Sequence, residues 1–299
     1  METIPMDNAS CTTGKPKWLK RTLPKGPEFE KVRVLLRNGR LHTVCQEAKC
    51  PNIWECFGKH RTATFLIMGS NCTRNCRFCA VEHGAFEPLD PDEPLRVAEA
   101  AAALNLEYVV VTSVTRDDLE DGGANHFAAV IRAVREKSTA SRVEVLIPDF
   151  KGNFEALRAV LNAGPDVLNH NMETVSRLYP VVRPQADYRQ SLTLFERVRD
   201  LSPGLSSKSG IMLGLGETDE EVSQTLMDLL SAGCRLLTLG QYLQPSKAHL
   251  PVARFVTPEA FEAWRQKALE MGFVQVASGP FVRSSYHAKD LYDAKEPVA

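Results

Sequence analysis

The chain has 299 residues, of which 43% are hydrophobic, and a formal net charge of −1. This length is enough for one large domain with a sizeable core. The near-neutral charge gives no reason to expect nucleic acid. No apolar run reaches the roughly 18 residues of a membrane helix, and the first residues lack the core of a signal peptide. We therefore expect a soluble protein of the cytoplasm, with no nucleic-acid partner and no membrane partner.

The N-terminal part of the chain predicts one helix followed by a cysteine-rich loop. Residues 28–40 place apolar residues at helical spacing, with Gly39 as the stop. Three cysteines follow, Cys45, Cys50 and Cys56, in the spacing CxxxxCxxxxxC. Reducing conditions disfavour disulfides, so thiols grouped in this way favour a metal site.

A second set of three cysteines follows the first predicted strand of the main domain. Cys72, Cys76 and Cys79 have the spacing CxxxCxxC, with Phe78 directly before the last thiol. Three thiolates on one loop can hold three irons of a four-iron cluster and leave the fourth iron open to another ligand. Zinc is the alternative, but zinc sites favour paired CxxC elements and four protein ligands. Two incomplete sets in tandem therefore predict two clusters.

From residue 62 onward, runs rich in β-branched residues alternate with helical patterns. The predicted strands lie in TATFLIMG, YVVVTSV, RVEVLIP, DVLNHNM, SSKSGIMLG and RLLTLGQY. The predicted helices span residues 94–104, 123–137, 153–163, 174–180, 188–200 and 219–232. Six strand–helix units with near-continuous apolar strands indicate an α/β fold, a partial (β/α)6 TIM-like barrel with N- and C-terminal extensions.

Two helix starts carry clear capping signals. Thr218 with Glu221 forms a predicted capping box at the start of the helix that ends near residue 232. Thr257 followed by Pro258 predicts a further helix beyond the six units. Cys234 and Cys11 have no cysteine neighbour, and we interpret both as small buried hydrophobes.

The C-terminal part contains the segment RSSYH, residues 283–287. Together with both cysteine sets and the segments CPNIWECFG, VTRDDLEDGGANHF, YPVVRPQADYRQSL and GPFVRSSYHA, it makes the chain resemble the lipoyl synthase family of the radical S-adenosylmethionine (SAM) superfamily. The resemblance covers most of the chain. On this basis we call Cys72, Cys76 and Cys79 the SAM-cluster cysteines, and Cys45, Cys50 and Cys56 the auxiliary cysteines.

The resemblance implies two 4Fe–4S clusters and SAM as cofactors. It implies that the SAM-cluster cysteines hold a cluster whose open iron is chelated by SAM, and that Phe78 lies near the adenine. The reduced cluster then releases a 5′-deoxyadenosyl radical from SAM. The auxiliary cysteines hold the second cluster, which supplies sulfur, and a serine of the RSSY segment is its fourth ligand. We assign that role to Ser285, with Ser284 as the alternative.

Further residues are expected to bind SAM at the carboxyl ends of the barrel strands, where such barrels place their working residues. These candidates are Thr112 and Ser113 after the second strand, Asn171 and Glu173 after the fourth, and Arg183 in VVRPQ. Asn171 and Glu173 alternate with Met172, so both are expected to point the same way. Arg183 suits a charge-assisted bond to the methionyl carboxylate. His170 is interpreted as structural.

By resemblance, the reaction is the insertion of two sulfur atoms at C6 and C8 of an octanoyl chain carried on a lysine of a lipoyl carrier domain or H protein. An electron donor protein and an iron–sulfur carrier that rebuilds the spent cluster are the further partners. Another radical SAM enzyme that inserts sulfur, similar to biotin synthase, is the alternative enzyme, and an iron–sulfur carrier without catalysis is the alternative from another class.

The same interpretation predicts that the chain has three parts. Residues 1–60 form an N-terminal extension with the auxiliary cysteines, residues 61–250 form the radical SAM partial barrel, and residues 251–299 form a C-terminal extension with the RSSY motif.

Overall fold

A computed structural model describes residues 16–20, 27–56 and 64–293. Within them, the strands form one eight-stranded sheet in chain order. The strands are β1 (His42–Thr43), β2 (Thr64–Ile67), β3 (Tyr108–Ser113), β4 (Arg142–Leu146), β5 (Val167–Asn169), β6 (Ser206–Leu213), β7 (Leu236–Gln241) and β8 (Gln275–Gly279). β1 is antiparallel to β2, and all other neighbours are parallel. No pairing joins β1 to β8 in the described chain, so the sheet is open.

Helices precede, connect and follow these strands. They are α1 (Pro27–Asn38), α2 (Val44–Glu47), α3 (Ile53–Glu55), α4 (Glu93–Ala103), α5 (Ala124–Lys137), α6 (Phe154–Asn162), α7 (Tyr179–Val182), α8 (Tyr188–Leu201), α9 (Asp219–Ala232), α10 (Pro258–Met271) and α11 (Ala288–Asp293). No described helix has the length and apolar character that a membrane crossing requires. The architecture is a partial barrel of the TIM type, as the alternation of strands and helices predicts.

The six predicted strands and the helices between them are confirmed. The segment predicted as a helix at residues 174–180 is divided into a 3₁₀ turn, Ser176–Leu178, and α7. Thr218 and Glu221 form the predicted capping box, since each side chain accepts a hydrogen bond from the backbone of the other. Thr257 caps α10 by accepting a hydrogen bond from the backbone of Ala260.

Two strands of the sheet, β1 and β8, were not predicted. β1 is only two residues long, which is too short for an alternating pattern. β8 has the sequence QVASG, and only Val276 of it is fully buried, so it lacks the apolar run that marks the other strands. The two strands come from the N-terminal and C-terminal parts of the chain, and each extends the sheet at one edge.

Alternation along the strands separates a helix-facing core from the barrel interior. On β3, Val109 and Val111 are completely buried in the large core shared with α4, α5 and α6. Tyr108 and Val110 face the other way and pack on Ala288 at the start of α11. The C-terminal segment of the chain therefore occupies part of the barrel interior.

This C-terminal segment passes so close to β7 that only glycine fits opposite it. A Cβ added to Gly240 would lie 2.2 Å from the carbonyl oxygen of Val282. A Cβ added to Gly210 on β6 would lie 3.2 Å from Ser284 Oγ, which is a tight contact, and 2.8 Å from Asn171 Oδ1. Because a backbone atom cannot move as easily as a side chain, Gly240 is the residue that holds open the path of the segment.

We predict that Gly240→Ala displaces the C-terminal segment. The added methyl group overpacks the barrel against a backbone atom, which should lower the free energy of unfolding in urea by about 1–3 kcal/mol. Trypsin cleavage after Arg283 should also become faster. Gly204→Ala is the matched control, because its added Cβ has no atom within 4 Å, and it should change stability by less than about 0.5 kcal/mol. Equal effects of the two substitutions would contradict this role of Gly240.

Candidate functional site

The SAM-cluster cysteines lie on the loop that follows β2, at the carboxyl edge of the sheet. Cys72 Sγ receives backbone N–H groups from Thr115, at 3.3 Å, and from Arg74, at 3.5 Å. The Thr73 hydroxyl donates to the carbonyl of Thr115, at 2.9 Å. The loop after β3 is thereby fastened to the cysteine loop, and it directs N–H groups at a sulfur atom that is a candidate iron ligand.

Arg74 anchors the same loop through its side chain, which is only 5% exposed. Its guanidinium donates two hydrogen bonds to Asp117, at 2.7 and 3.0 Å, and two to Asp149, at 2.9 and 2.7 Å. Burial raises the pKa of the Asp149 carboxyl, but the hydrogen bonds and charge of Arg74 outweigh burial and hold that pKa below its usual range. Bidentate pairs of this kind are strong and geometrically specific, so the loop has a fixed position.

Asn171, Glu173 and Arg183 meet beside Cys76. Asn171 Nδ2 donates to Glu173 Oε1, at 2.9 Å, and Arg183 Nη1 donates to the backbone carbonyls of Asn171 and Met172. Burial raises the pKa of Glu173, and the positive charge of Arg183 acts against that rise. Burial likewise raises the pKa of the Cys76 thiol, again opposed by Arg183. These charged and polar groups share one poorly solvated pocket.

The pocket contains polar atoms that protein groups do not satisfy. Asn171 Oδ1 and Arg183 Nε are both buried without a hydrogen-bond partner in the described structure. Glu173 also has a backbone φ of +66°, a strained conformation for a residue with a side chain. Buried unpaired groups carry a free-energy cost of about 1–3 kcal/mol, which a bound ligand with a carboxylate and hydrogen-bond donors would remove. The residues present therefore fit SAM.

Thr112 and Ser113 lie at the end of β3 but on opposite faces of it. The Thr112 hydroxyl already donates to the carbonyl of Leu146, at 2.8 Å. Ser113 Oγ is buried without a partner among the described residues, on the face shared with Val109 and Val111. Phe78 is partly buried and packs against the core of the C-terminal half. Strand alternation thus allows one hydroxyl of the pair, and not both, to face the interior.

The auxiliary cysteines line a single cavity of about 440 Å³. Cys45 lies in α2, Cys50 in the turn that follows, and Cys56 directly after α3, at the edge where β1 joins the sheet. Burial raises the pKa of the Cys45 thiol to about 12, and the neighbouring Cys50 adds to the rise. A thiolate is therefore disfavoured there unless a strong positive centre supplies compensating charge, as iron does. The size of the cavity and its thiols fit a four-iron cluster.

Ser285 and Ser284 point to different places. Ser285 lines the cavity of the auxiliary cysteines and accepts a hydrogen bond from Thr64 Oγ1, at 2.7 Å. Ser284 accepts a hydrogen bond from Asn171 Nδ2, at 2.6 Å, and is not among the described residues that line this cavity. The geometry thus favours Ser285 as the serine that faces the auxiliary cysteines.

Across residues 16–20, 27–56 and 64–293, no group of three His, Cys, Asp or Glu side chains converges closely enough to hold one metal ion. Cys234 is fully buried and lies apart from both sets, while Cys11 lies outside the described residues.

Comparison with protein-family models gives two matches. The Radical SAM superfamily matches residues 66–229, and the N-terminal domain of lipoyl synthase of the Radical SAM family matches residues 2–50. The second match includes two of the auxiliary cysteines.

Comparison with curated proteins extends this similarity to nearly the whole chain. Lipoyl synthase of Desulfotalea psychrophila is 56% identical over 97% of this chain and 96% of its own length. Lipoyl synthase of Nitrosococcus oceani is 58% identical over 95% of this chain and 87% of its own length. The chain belongs to the lipoyl synthase family.

Solved structures agree on the fold. Methylornithine synthase aligns with a TM-score of 0.53 at 15% identity, covering 79% of this chain and 72% of that one. The hydrogenase maturase HydG aligns with a TM-score of 0.53 at 18% identity, covering 76% and 58%. Membership of the lipoyl synthase family makes the chain a radical SAM enzyme with SAM and 4Fe–4S clusters as cofactors, as the resemblance implied.

Three anchoring residues of the site, Arg74, Asp117 and Asp149, are not identified by the sequence analysis. Arg74 lies between two cysteines of one loop, Cys72 and Cys76. This position indicates a side chain near the cluster and is the sequence signal that could have identified it. Asp149 follows a buried strand by three residues, and nothing in its local sequence links it to Arg74.

His170 is interpreted as structural, and its position suggests a measurable consequence. It is 1% exposed and contacts the Ile147 carbonyl and the Ser191 hydroxyl, at 2.9 and 3.1 Å. Burial, assisted by the charge of Arg183, lowers its pKa to about 4. Below the unfolded-state pKa of about 6.5, the unfolded chain binds a proton that the folded chain excludes. Stability is therefore present above that pH and is lost as pH falls toward 4.

We predict that the cluster-free protein loses roughly 2 kcal/mol of unfolding free energy between pH 7 and pH 5 through this group. His170→Gln should remove that component, so the difference between wild type and variant shrinks as pH falls. Urea unfolding at several pH values measures it. His42→Gln is the matched control, because the His42 side chain is 41% exposed. Parallel pH profiles for wild type and His170→Gln would contradict the assignment.

Proposed function

We propose that this chain is a lipoyl synthase that inserts two sulfur atoms at C6 and C8 of an octanoyl chain carried on a lysine of a lipoyl carrier domain or H protein. One observation carries the proposal. The auxiliary cysteines and a serine from the far end of the chain, Ser285, line the same cavity. Near-full-length identity to lipoyl synthases supports the substrate. An enzyme similar to biotin synthase is not favoured, because the N-terminal domain of lipoyl synthase is present.

The two cysteine sets are proposed to have different tasks. The SAM-cluster cysteines would hold the 4Fe–4S cluster that binds SAM, and the auxiliary cysteines with Ser285 would hold the 4Fe–4S cluster that donates sulfur. When bound, these groups supply one-electron reductive cleavage of SAM and sulfur transfer to carbon. Such chemistry suits the substrate, because C6 and C8 carry no acidic proton that a general base can remove.

The remaining site residues are proposed to bind and orient SAM. Arg183, with its unpaired buried Nε, suits the methionyl carboxylate. Asn171 and Glu173 suit hydroxyl and amine donors, and Thr112, on the interior face of β3, suits a further polar contact, whereas Ser113 on the helix-facing side does not. Phe78 follows the barrel rim and is proposed to lie against the adenine. Arg74 keeps the cluster loop in place through its two carboxylate partners, so it positions the site without contacting the substrate.

Further partners follow from the proposed chemistry. An electron donor protein is needed to reduce the SAM-binding cluster, and an iron–sulfur carrier is needed to rebuild the consumed one. We propose that residues 1–60 and 251–299 act as extensions that carry the auxiliary site, on a radical SAM barrel of residues 61–250. Thiols kept for metal fit a reducing compartment, so we propose that the protein acts in the cytoplasm.

We predict that the reconstituted wild type holds about eight irons and that Cys50→Ala and Cys76→Ala each hold about four. Each substitution removes a ligand from one set only, so each should remove one cluster. Iron and sulfide analysis after anaerobic reconstitution measures this. Cys234→Ala is the control, because this fully buried thiol lies in the core outside both sets, and it should keep about eight irons. A wild type with four irons, or with zinc, would sink the proposal.

We predict that the reconstituted protein, given SAM and dithionite, forms 5′-deoxyadenosine at a rate raised by an octanoyl-lysine peptide. Mass spectrometry should find two sulfur atoms added to that peptide. The same peptide with an unacylated lysine is the control and should give neither effect. Formation of 5′-deoxyadenosine with an unchanged octanoyl peptide would contradict the proposed substrate and would indicate a radical SAM enzyme that acts on a different one.

A further inference from the structure

The two serines of the RSSY segment make contacts in opposite directions. Ser285 Oγ accepts from Thr64 and lines the auxiliary cavity. Ser284 Oγ accepts from Asn171 Nδ2, at 2.6 Å, and so touches the pocket beside Cys76. Adjacent residues of one short segment thus connect the two candidate cofactor sites. The ligand role discussed for this segment uses only one of them, which leaves Ser284 without a function.

Ser284 is one of two partners that hold the Asn171 carboxamide by its nitrogen. Asn171 Nδ2 carries two N–H groups, and one donates to Glu173 Oε1 while the other donates to Ser284 Oγ. Rotation of the amide by half a turn would direct Asn171 Oδ1 at the carboxylate of Glu173, which would be repulsive. Glu173 therefore sets which way the amide faces, and Ser284 supplies a second acceptor that keeps the nitrogen in place. Asn171 Oδ1 is buried without a partner in the described structure.

The space around this contact is filled. A Cβ added to Gly210 would lie 2.8 Å from Asn171 Oδ1 and 3.2 Å from Ser284 Oγ. Asn171 itself is only 8% exposed, and its backbone carbonyl accepts from Arg183, at 2.9 Å. With the backbone bound on one side and the amide nitrogen on the other, the carboxamide has little freedom. Its oxygen is a buried acceptor that has no partner among the described residues.

We propose that Ser284 is a positioning residue for SAM binding: together with Glu173 it holds the Asn171 carboxamide by its nitrogen, so that Oδ1 accepts a hydrogen bond from SAM. This rests on the proposed role of Asn171 as a SAM contact. The two serines then have separate tasks, since Ser285 serves the sulfur-donating site and Ser284 serves the SAM site. Ser284 acts through Asn171 and does not itself touch SAM.

A double-mutant cycle on the reconstituted protein tests the proposal. Ser284→Ala should keep about eight irons and weaken SAM binding about three- to tenfold, which is the size expected for one buried neutral hydrogen bond. SAM affinity is measured by equilibrium dialysis and by the change that SAM causes in the electron paramagnetic resonance spectrum of the reduced cluster. Asn171→Ala should weaken SAM binding, and adding Ser284→Ala to it should cause no further loss, because the two act as one unit.

Two matched variants separate this effect from general damage. Ser285→Ala should lower the iron content and leave SAM affinity unchanged. If Ser284→Ala yields too little protein, Gly210→Ala serves as the second variant. Its added Cβ would lie close to Asn171 Oδ1 and Ser284 Oγ without removing the hydroxyl, so it should also weaken SAM binding. Unchanged SAM affinity in Asn171→Ala would overturn the SAM role of Asn171 and the inference with it. Weakened affinity in Asn171→Ala with wild-type affinity in Ser284→Ala, or additive losses in the double variant, would overturn the inference alone.

Discussion

The close passage of the C-terminal segment through the barrel is the constraint on which the rest of the site depends. It is possible because β7 has a glycine where the Val282 carbonyl passes. Beyond that point the segment is fixed to the N-terminal part of the chain. Asn52 Nδ2 donates to the Phe281 carbonyl, at 2.7 Å, and the Tyr286 hydroxyl donates to Glu55, at 3.0 Å. Residues more than 220 positions apart in the chain thereby enclose one cavity.

The barrel interior contains a polar cluster on β4, β5 and β6, whereas the interior of a closed barrel is usually filled by layers of apolar side chains. Lys208 Nζ lies 2.9 Å from Glu144, and both side chains are almost completely buried. Tyr108 and Asn169 donate two more hydrogen bonds to the same carboxylate. Burying an ion pair carries a desolvation cost that only good geometry repays. The satisfied cluster therefore gives Tyr108, which also lines the auxiliary cavity, a fixed position.

The fold was largely predictable because six of its strands contain runs of β-branched and other apolar residues and because two of its helices carry clear caps. The cysteine sets were predictable because three ligands on one short loop are a local pattern. Contacts between distant segments were not. Ser284 and Ser285 are adjacent in a segment without regular periodicity, so the sequence could not decide which one faces the thiols. The pairing of Arg74 with Asp149 spans 75 positions. β8 has no apolar run in its sequence, and it becomes a strand by pairing with β7.

The two cysteine sets are also held by interactions of different strength, and the difference agrees with the proposed chemistry. Arg74 fixes the SAM-cluster loop through four charge-assisted bonds, two to the buried Asp149 and two to the partly buried Asp117, a type of bond about twice as strong as a neutral one. Across the auxiliary cavity, the bonds from Asn52 to Phe281 and from Thr64 to Ser285 are neutral, each worth about 1 kcal/mol, and the bond from Tyr286 to Glu55 is made to a carboxylate by a neutral hydroxyl. A cluster that is used again in every turnover suits a rigid loop. A cluster that is consumed and rebuilt suits an enclosure that opens at small free-energy cost.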